Sequence, residues 1–420
     1  MVTGSGSLEK ELSRDEIADI LERGFPPELY RGKKVLVLTP DGTRTAPLPM
    51  MVRELHRIMG GLSEQLDFMV ALGTHRPLKD EEILHLYGIT GQERNGIFGG
   101  TAFLNHRWDM PGTLQNIGSF SRSEIEELTG GLLSETVDVD INRHIFDYDL
   151  LIILGPVFPH EVAGFSGGHK YLFPGISGGD FLHFFHWLGA VITCWKVIGA
   201  KQNPVRTLIE AAASLVPVQR YCAAMVVNQE NSVHGLWVGE PEKAWSEAAD
   251  LSAQIHIVQK KHPFLTVLGR ASSLYEELWT AGKVMYKLEP VVADGGRLII
   301  YGKGVRALSH TWGAHIERIG YHVRDYFLSR MDRFRDVPKG VIAHATHVRG
   351  LGTFEHGIES PRIEVILATS IPEKLCRRVN LGYMNPDGID IASFCNREDE
   401  GVLFVDDAGE MLHRLSSDRG

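Results

Sequence analysis

The segment Pro159-His-Glu-Val-Ala-Gly-Phe-Ser-Gly-Gly-His-Lys-Tyr-Leu-Phe-Pro-Gly175 gathers residue types that do chemistry. With His183 and His186 just beyond it, residues 160–186 hold four of the chain's 19 histidines: His160, His169, His183 and His186. Neutral imidazole is the commonest metal ligand and a base near neutral pH. A flexible glycine backbone, several imidazoles and one lysine, Lys170, suggest a metal or cofactor site. The plain alternative is a glycine-rich turn with surface histidines. Two local patterns compete within the segment. Gly164-Phe-Ser166-Gly-Gly168 matches the G-x-S-x-G elbow of serine hydrolases, which needs a strand just before the serine and a helix just after it. His183-x-x-His186 on a helix could face one side. Further on, His344, His347 and His356 allow a zinc hydrolase, although no H-E-x-x-H completes it.

Two shorter groups accompany the segment. Asp41-Gly-Thr43-Arg44 and Gly73-Thr-His-Arg76-Pro77 each come after an apolar run. Arginine is the natural bidentate partner of carboxylate or phosphate, and Thr43 with exposed backbone amides suits a phosphate. Each group alone reads as a turn with a solvated arginine. Together with the histidine segment they lie after three successive apolar runs.

The elements that must position these residues are set by the apolar pattern. Lys33–Leu38, Leu66–Leu72 and Tyr148–Leu154 read as buried strands, and Ala223–Val227, Phe264–Leu268, Arg297–Tyr301, Val341–Ala343, Ile363–Ala368 and Gly401–Val405 continue the series. Helical spacing occupies Glu16–Arg23, residues 47–61, residues 80–86, Phe181–Ile198, Ala244–Ile257 and Ser273–Lys287, while the first dozen residues look frayed. Alternating strand and helix predicts an α/β fold with largely parallel sheets, in which ligands sit beyond the carboxyl ends of the strands. Two α/β domains are expected, at 1–262 and 263–420, with an active-site cleft between them and the last residues free to pack back on the first.

Composition narrows the function. The 420 residues carry 43 basic and 53 acidic side chains, a net charge of −10 with no basic run, which argues against nucleic acid and acidic membrane surfaces. No apolar stretch reaches the ~18 residues of a membrane span, and the N-terminus lacks an apolar signal core. Cys194, Cys222, Cys376 and Cys395 are scattered without a C-x-x-C. A reduced, cytoplasmic protein is expected. Oligomeric state leaves no mark in the sequence.

The motifs D-x-T-R at Asp41–Arg44, G-T-H-R-P at Gly73–Pro77, the pair Asn105-His106 and P-H-x-x-A-G-F-S-G-G-x-K at Pro159–Lys170, with His186 beyond, together resemble the lactate racemase family over roughly residues 33 to 300. The resemblance implies a nickel-pincer nucleotide cofactor, a pyridinium bis-thio-carboxylic mononucleotide that holds nickel through one ring carbon and two sulfurs. It implies that Lys170 meets one arm of the cofactor, that His186 is the remaining nickel ligand, and that His106 and His160 are acid and base on opposite faces of the substrate. Asp41, Thr43, Arg44, Ser166, Gly167 and Gly168 fall in the cofactor-binding motifs. Arg76 and Lys283 are the candidates for the substrate carboxylate. The substrate is then a small 2-hydroxy acid, and separate biosynthetic enzymes supply the cofactor. Removing hydrogen from such a weakly acidic carbon as hydride leaves a stable ketone, provided a base takes the hydroxyl proton. The family's Gln-x-x-Lys is Thr280-Ala-Gly-Lys283 here, and Phe327 stands nearest the family's tryptophan. Both changes predict a wider, less polar pocket than lactate needs. His310 and Trp312 are further candidates for the cleft.

Overall fold

The computed structural model describes residues 1–416. The chain divides into two compact units that interleave along the sequence. Unit one comprises residues 1–158, 165–182 and 206–255; unit two comprises 159–164, 183–205 and 256 onward. The division is thus not one cut near residue 262: two short segments on either side of Lys170 belong with the C-terminal half.

Unit one is built on a seven-stranded sheet of β1 (Thr3–Gly6), β2 (Lys34–Thr39), β3 (Gln65–Val70), β4 (Phe103–Asn105), β5 (Leu150–Pro156), β6 (Gln219–Val227) and β7 (Val233–Gly239), in the order β1-β7-β6-β5-β2-β3-β4. Strands β6, β5, β2, β3 and β4 run parallel. The runs Val35–Thr39 and Leu150–Pro156 are buried throughout, as strands covered on both faces must be. Helix Leu48–Met59 turns Leu48, Met51, Val52, Leu55 and Met59 inward, at helical spacing, into the core that contains Val35, Val37, Leu150 and Ile152. Helix Arg14–Gly24 adds Ile17, Ile20 and Leu21 and starts on a reciprocal Ser13–Glu16 capping box. The chain steps from β2 outward to β3 and β4, whereas β5 and β6 lie on β2's other flank. The order therefore reverses between β2 and β5, and the crevice for a ligand opens at the carboxyl ends of those two strands.

Unit two holds a five-stranded, wholly parallel sheet of β8 (Phe264–Ala271), β9 (Val292–Gly302), β10 (Glu364–Thr369), β11 (Gly382–Tyr383) and β12 (Val402–Ala408), in the order β11-β10-β9-β8-β12. Leu268, Ile299, Ile366 and Ala368 form part of its core. The short strand Leu412–Leu415 pairs with Ile257–Lys260 inside this unit. The α/β class with largely parallel sheets is as expected.

Two expectations are corrected. Thr3–Gly6 is not frayed but pairs antiparallel with β7, an edge pairing made by backbone groups of a segment with little strand propensity. Val341–Ala343 is not a strand; it lies within helix Lys339–Arg349, whose residues 340–348 are buried throughout and so show no period.

Candidate active site

The turn after β2 is tied from within. The Asp41 carboxylate accepts the Thr43 amide (3.0 Å) and hydroxyl (2.6 Å), and its other oxygen lies 2.6 Å from Nδ1 of His75 in the loop after β3. Burial would push this carboxyl up, but His75 and the Thr43 hydrogen bonds outweigh it and hold Asp41 well below the usual carboxylate range. Trp108 donates its indole N–H to the His75 carbonyl at 2.8 Å, joining the stretch after β4 to the same group. The Arg44 guanidinium stands 6.0 Å from the Phe158 ring, and its Nη1 is buried with no hydrogen-bond partner among the described residues. An orphaned donor at a strand-order reversal is where an anionic group fits.

The loop after β5 approaches the same turn. Tyr171 is half-buried; desolvation raises its phenol, with Arg44 pulling it down and Asp41 pushing it up. Its hydroxyl packs so closely on Gly155 that a Cβ there would lie 1.9 Å away. Lys170 is half-buried on the short 3-10 turn Gly168–Tyr171; its amide donates to Gly167 O (3.3 Å) and its carbonyl accepts from Gly175 N (3.0 Å). Gly167 has φ 85° and Gly168 φ 59°, and a Cβ on either would press on Val157 or Trp245. The turn is braced from behind. Trp245 donates to Ser166 O at 2.8 Å, and the buried Arg206 guanidinium lies 4.0 Å over the Trp245 ring. His169 binds Glu210 through Nδ1 and accepts Arg220 Nε–H (3.1 Å) on Nε2, so both its ring nitrogens are structural.

Ser166 is not a nucleophile elbow. Its hydroxyl donates to Pro156 O (3.0 Å) and accepts the Phe158 amide (2.9 Å). The chain runs from Ser166 into the glycine turn and a 3-10 segment, where an elbow would need a helix.

His106 comes directly after β4 and is fully buried. Its Nε2 lies 3.1 Å from Ser177 O, which can only accept, so Nε2 carries the proton. Nδ1 then accepts the Asn142 amide N–H at 3.1 Å. Burial lowers the ring to about 4, with the Ser177 contact opposing, so His106 is neutral at pH 7. Arg76 is more than half exposed and makes a bidentate pair with Glu82, at 2.9 and 2.7 Å.

Unit two carries His160, Glu161, His186 and Lys283. His160 is 4% exposed, and its Nδ1 accepts the amides of Val162 (3.1 Å) and Ala163 (3.3 Å); Glu161 Oε2 is 3.6 Å from the same atom. With Nδ1 an acceptor, the proton of the neutral ring sits on Nε2. His183 and His186 are half-buried on helix Gly179–Ile192; the His183 ring is 5.7 Å from Trp312, and His186 lies against Phe185. The His344 ring lies 4.3 Å from that of Trp279, tilted by 33°, and is bonded through Nδ1 to Tyr286 and Nε2 to Tyr321. Burial, then His347, depresses His344 to about 3; Glu161 opposes this and His186 adds to it, so these groups form one electrostatic cluster. Burial also lowers His347, to about 4. His356 sits apart, at the tip of the hairpin formed by Gly352–Glu355 and Ile358–Pro361, which removes the zinc triad. Among the described residues no group of three or more His, Cys, Asp or Glu side chains could hold a metal alone.

The proposed wall residues fare differently. Lys283 is 9% exposed, with Nζ 5.0 Å from the Tyr275 ring. Thr280 donates its hydroxyl back to Glu277 O, at 3.0 Å. Phe327 is packed among His322, Tyr326 and Phe334, so it serves the core, and the pocket widening inferred from it loses its support. Sequence reasoning passed over His75, Glu210, Arg206 and Lys287. The visible signals were the i,i+4 spacings Arg206–Glu210 and Lys283–Lys287.

A profile of the lactate racemase N-terminal domain matches residues 27–196. Lactate racemase of Thermoanaerobacterium thermosaccharolyticum is 27% identical over 314 residues, 70% of this chain and 67% of that protein. Lactate racemase of Lactiplantibacillus plantarum is 25% identical over 302 residues, 70% of this chain and 65% of that protein. The matched part of the chain thus spans about two thirds of these relatives' length. A Thermotoga maritima protein of known crystal structure is similar with a TM-score of 0.88 at 33% identity, covering 97% of this chain and 99% of that one. The lactate racemase apoprotein from T. thermosaccharolyticum shares the fold, with a TM-score of 0.72 at 19% identity over 96% and 93% of the two chains.

Proposed function

Because the chain belongs to the lactate racemase family, we propose that it is an isomerase that racemises or epimerises a 2-hydroxy acid at the α-carbon, with a nickel-pincer nucleotide as cofactor. One observation carries this reading. The strand-end groups Asp41–Arg44, His75, His106 and the Lys170 turn all lie beyond the carboxyl ends of unit one's parallel strands, and the first and last of them follow β2 and β5, between which the strand order reverses.

The residues suit such a cofactor. Arg44, with its orphaned Nη1, and the Thr43 turn would hold the nucleotide phosphate, and Lys170 would meet the cofactor's arm. His186 would be the protein's nickel ligand; a metal carried largely by an organic group needs only one imidazole from the chain. When bound, the cofactor supplies an electron-poor pyridinium carbon that stores a hydride.

The chain's own groups do the rest. His106, kept neutral by burial, is available as a base; exchange of its proton requires Ser177 O or the Asn142 amide to be replaced as partner. His160 exchanges its proton through Nε2, because two backbone amides occupy Nδ1. One histidine takes the hydroxyl proton from one hand of the substrate and the other returns it to the opposite hand. Arg76 and Lys283 are the cations for the substrate carboxylate, and Arg76 must leave Glu82 to serve. With threonine where the family has glutamine, the preferred substrate differs from lactate in its side chain. Intact mass and nickel content of protein produced together with the cofactor-synthesis enzymes test this reading. One nickel per chain with a cofactor-sized mass increment is expected; protein that acquires neither would contradict it.

A further inference from the structure

Helix Lys283–Leu288 reads KVMYKL, with lysines at its first and fifth positions. That spacing puts both on one side of the helix. Lys283 is the substrate-carboxylate candidate; Lys287 is 0% exposed. A wholly buried lysine is rare, because its ammonium gives up hydration that only protein oxygens can replace. Lys287 Nζ donates to the carbonyl of Pro159, the residue that precedes His160.

The segment 159–164 around His160 is held at several points. Lys287 grips its first carbonyl. Asn203 Nδ2 donates to Ala163 O (3.3 Å), and the Gly199 amide donates to Gly164 O (2.9 Å). Val162 packs against Gly189 so closely that a Cβ on that glycine would lie 2.7 Å from a Val162 methyl. In this folded shape the amides of Val162 and Ala163 reach back to His160 Nδ1, which leaves the proton of the neutral ring on Nε2. Nearby, burial raises the Cys194 thiol; Glu161 and Glu289 add to the rise, and Lys287 and Arg414 oppose it.

We propose that Lys287 is a positioning residue for His160: by holding the Pro159 carbonyl it fixes the 159–164 turn and thereby the Nε2–H tautomer through which His160 acts. The same helix thus couples one acid/base group to the cation for the substrate carboxylate. This inference rests on the reading of His160 as the acid/base for one hand of the substrate.

Lys287→Met removes donor and charge at nearly constant volume, and Lys287→Gln keeps an N–H donor one atom shorter. In the full chain labelled with [15N]histidine, the His160 signal is assigned by its loss in His160→Gln. The wild type should show a single neutral tautomer with the proton on Nε2, Lys287→Met a mixture, and Lys287→Gln an intermediate state. This readout needs no cofactor and holds whatever the reaction proves to be. In cofactor-loaded enzyme, oxidation of each enantiomer is then measured separately. Lys287→Met should slow the hand that uses His160 as base about 100-fold, the scale of a misplaced catalytic group. It should leave the other hand within about threefold and lower kcat more than it raises KM. If Lys287→Met does not fold, Lys287→Gln is judged on the same signals. A His160 tautomer unchanged in every folded variant, or equal slowing of both hands, overturns the proposal. Wild type that interconverts no 2-hydroxy acid would refute the functional reading instead, while the tautomer still decides the role of Lys287.

Discussion

His186 and His169 lie on either side of Lys170's stretch and look alike in the sequence, yet their surroundings separate them. His169 has both ring nitrogens engaged, by Glu210 and Arg220, and braces the glycine turn. His186 is half-buried on a helix beside a cluster of neutral imidazoles. Replacing His186 by alanine should therefore strip bound nickel while leaving the far-ultraviolet spectrum and melting temperature near wild type; full nickel occupancy would refute its role. Lys170→Ala should remove any covalent cofactor adduct from the intact mass, and an adduct of unchanged size would place the attachment elsewhere. Replacement of His106 or of His160 should each cost well over ~100-fold in turnover, as loss of a general acid or base does. Near-native rates for both enantiomers in either variant would break the pairing. At this scale the sequence was most legible where residues are crowded into one motif. It was silent on Asp41–His75, a contact between two strand-end loops, because such pairs are set by sheet order and not by spacing along the chain.

The strands and their carboxyl-end loops were readable because buried parallel strands are continuous apolar runs bounded by turn residues. Helix Lys339–Arg349 was not, because an element buried on all sides loses the period that distinguishes helix from strand. The irregular stretch after β5 was recognised by its glycines and prolines, but what those glycines permit is visible only in three dimensions. Gly155, the sixth residue of β5, admits the Tyr171 hydroxyl where any Cβ would stand. Gly155→Ala must move Tyr171 or the strand. The expected cost is about 1–3 kcal/mol of stability, the usual range for overpacking a filled core, together with weaker cofactor retention. Denaturant titration and nickel content measure the two, and a variant with wild-type values for both would show that the turn has slack.

Across the whole molecule, burial keeps several imidazoles neutral. His106, His347 and His413 are lowered to about 4 and His344 to about 3, chiefly by burial in each case. As the pH falls below the ordinary imidazole value of about 6.5, an unfolded chain takes up protons that these folded sites refuse until about pH 4. Stability therefore declines across that window as acid is added, each group contributing up to about 1.4 kcal/mol per pH unit. Denaturation midpoints at pH 7.5, 6 and 5 should fall in that order; a flat series would mean that these histidines are protonated in the fold. The interleaving of the two units was hidden from the sequence, since composition and charge do not change at residues 159, 183 or 206. The central claim is that the chain inverts a 2-hydroxy acid by moving hydride. The direct measurement is chiral analysis, with mass detection, of single enantiomers of lactate, 2-hydroxybutyrate, 2-hydroxyisovalerate, malate and gluconate, each deuterated at C2 and incubated in ordinary water with cofactor-loaded protein. The account predicts conversion of at least one acid other than lactate to its opposite C2 configuration with the deuterium kept on C2. Inversion with the label lost to solvent, or no inversion of any acid by nickel-replete protein, would contradict it.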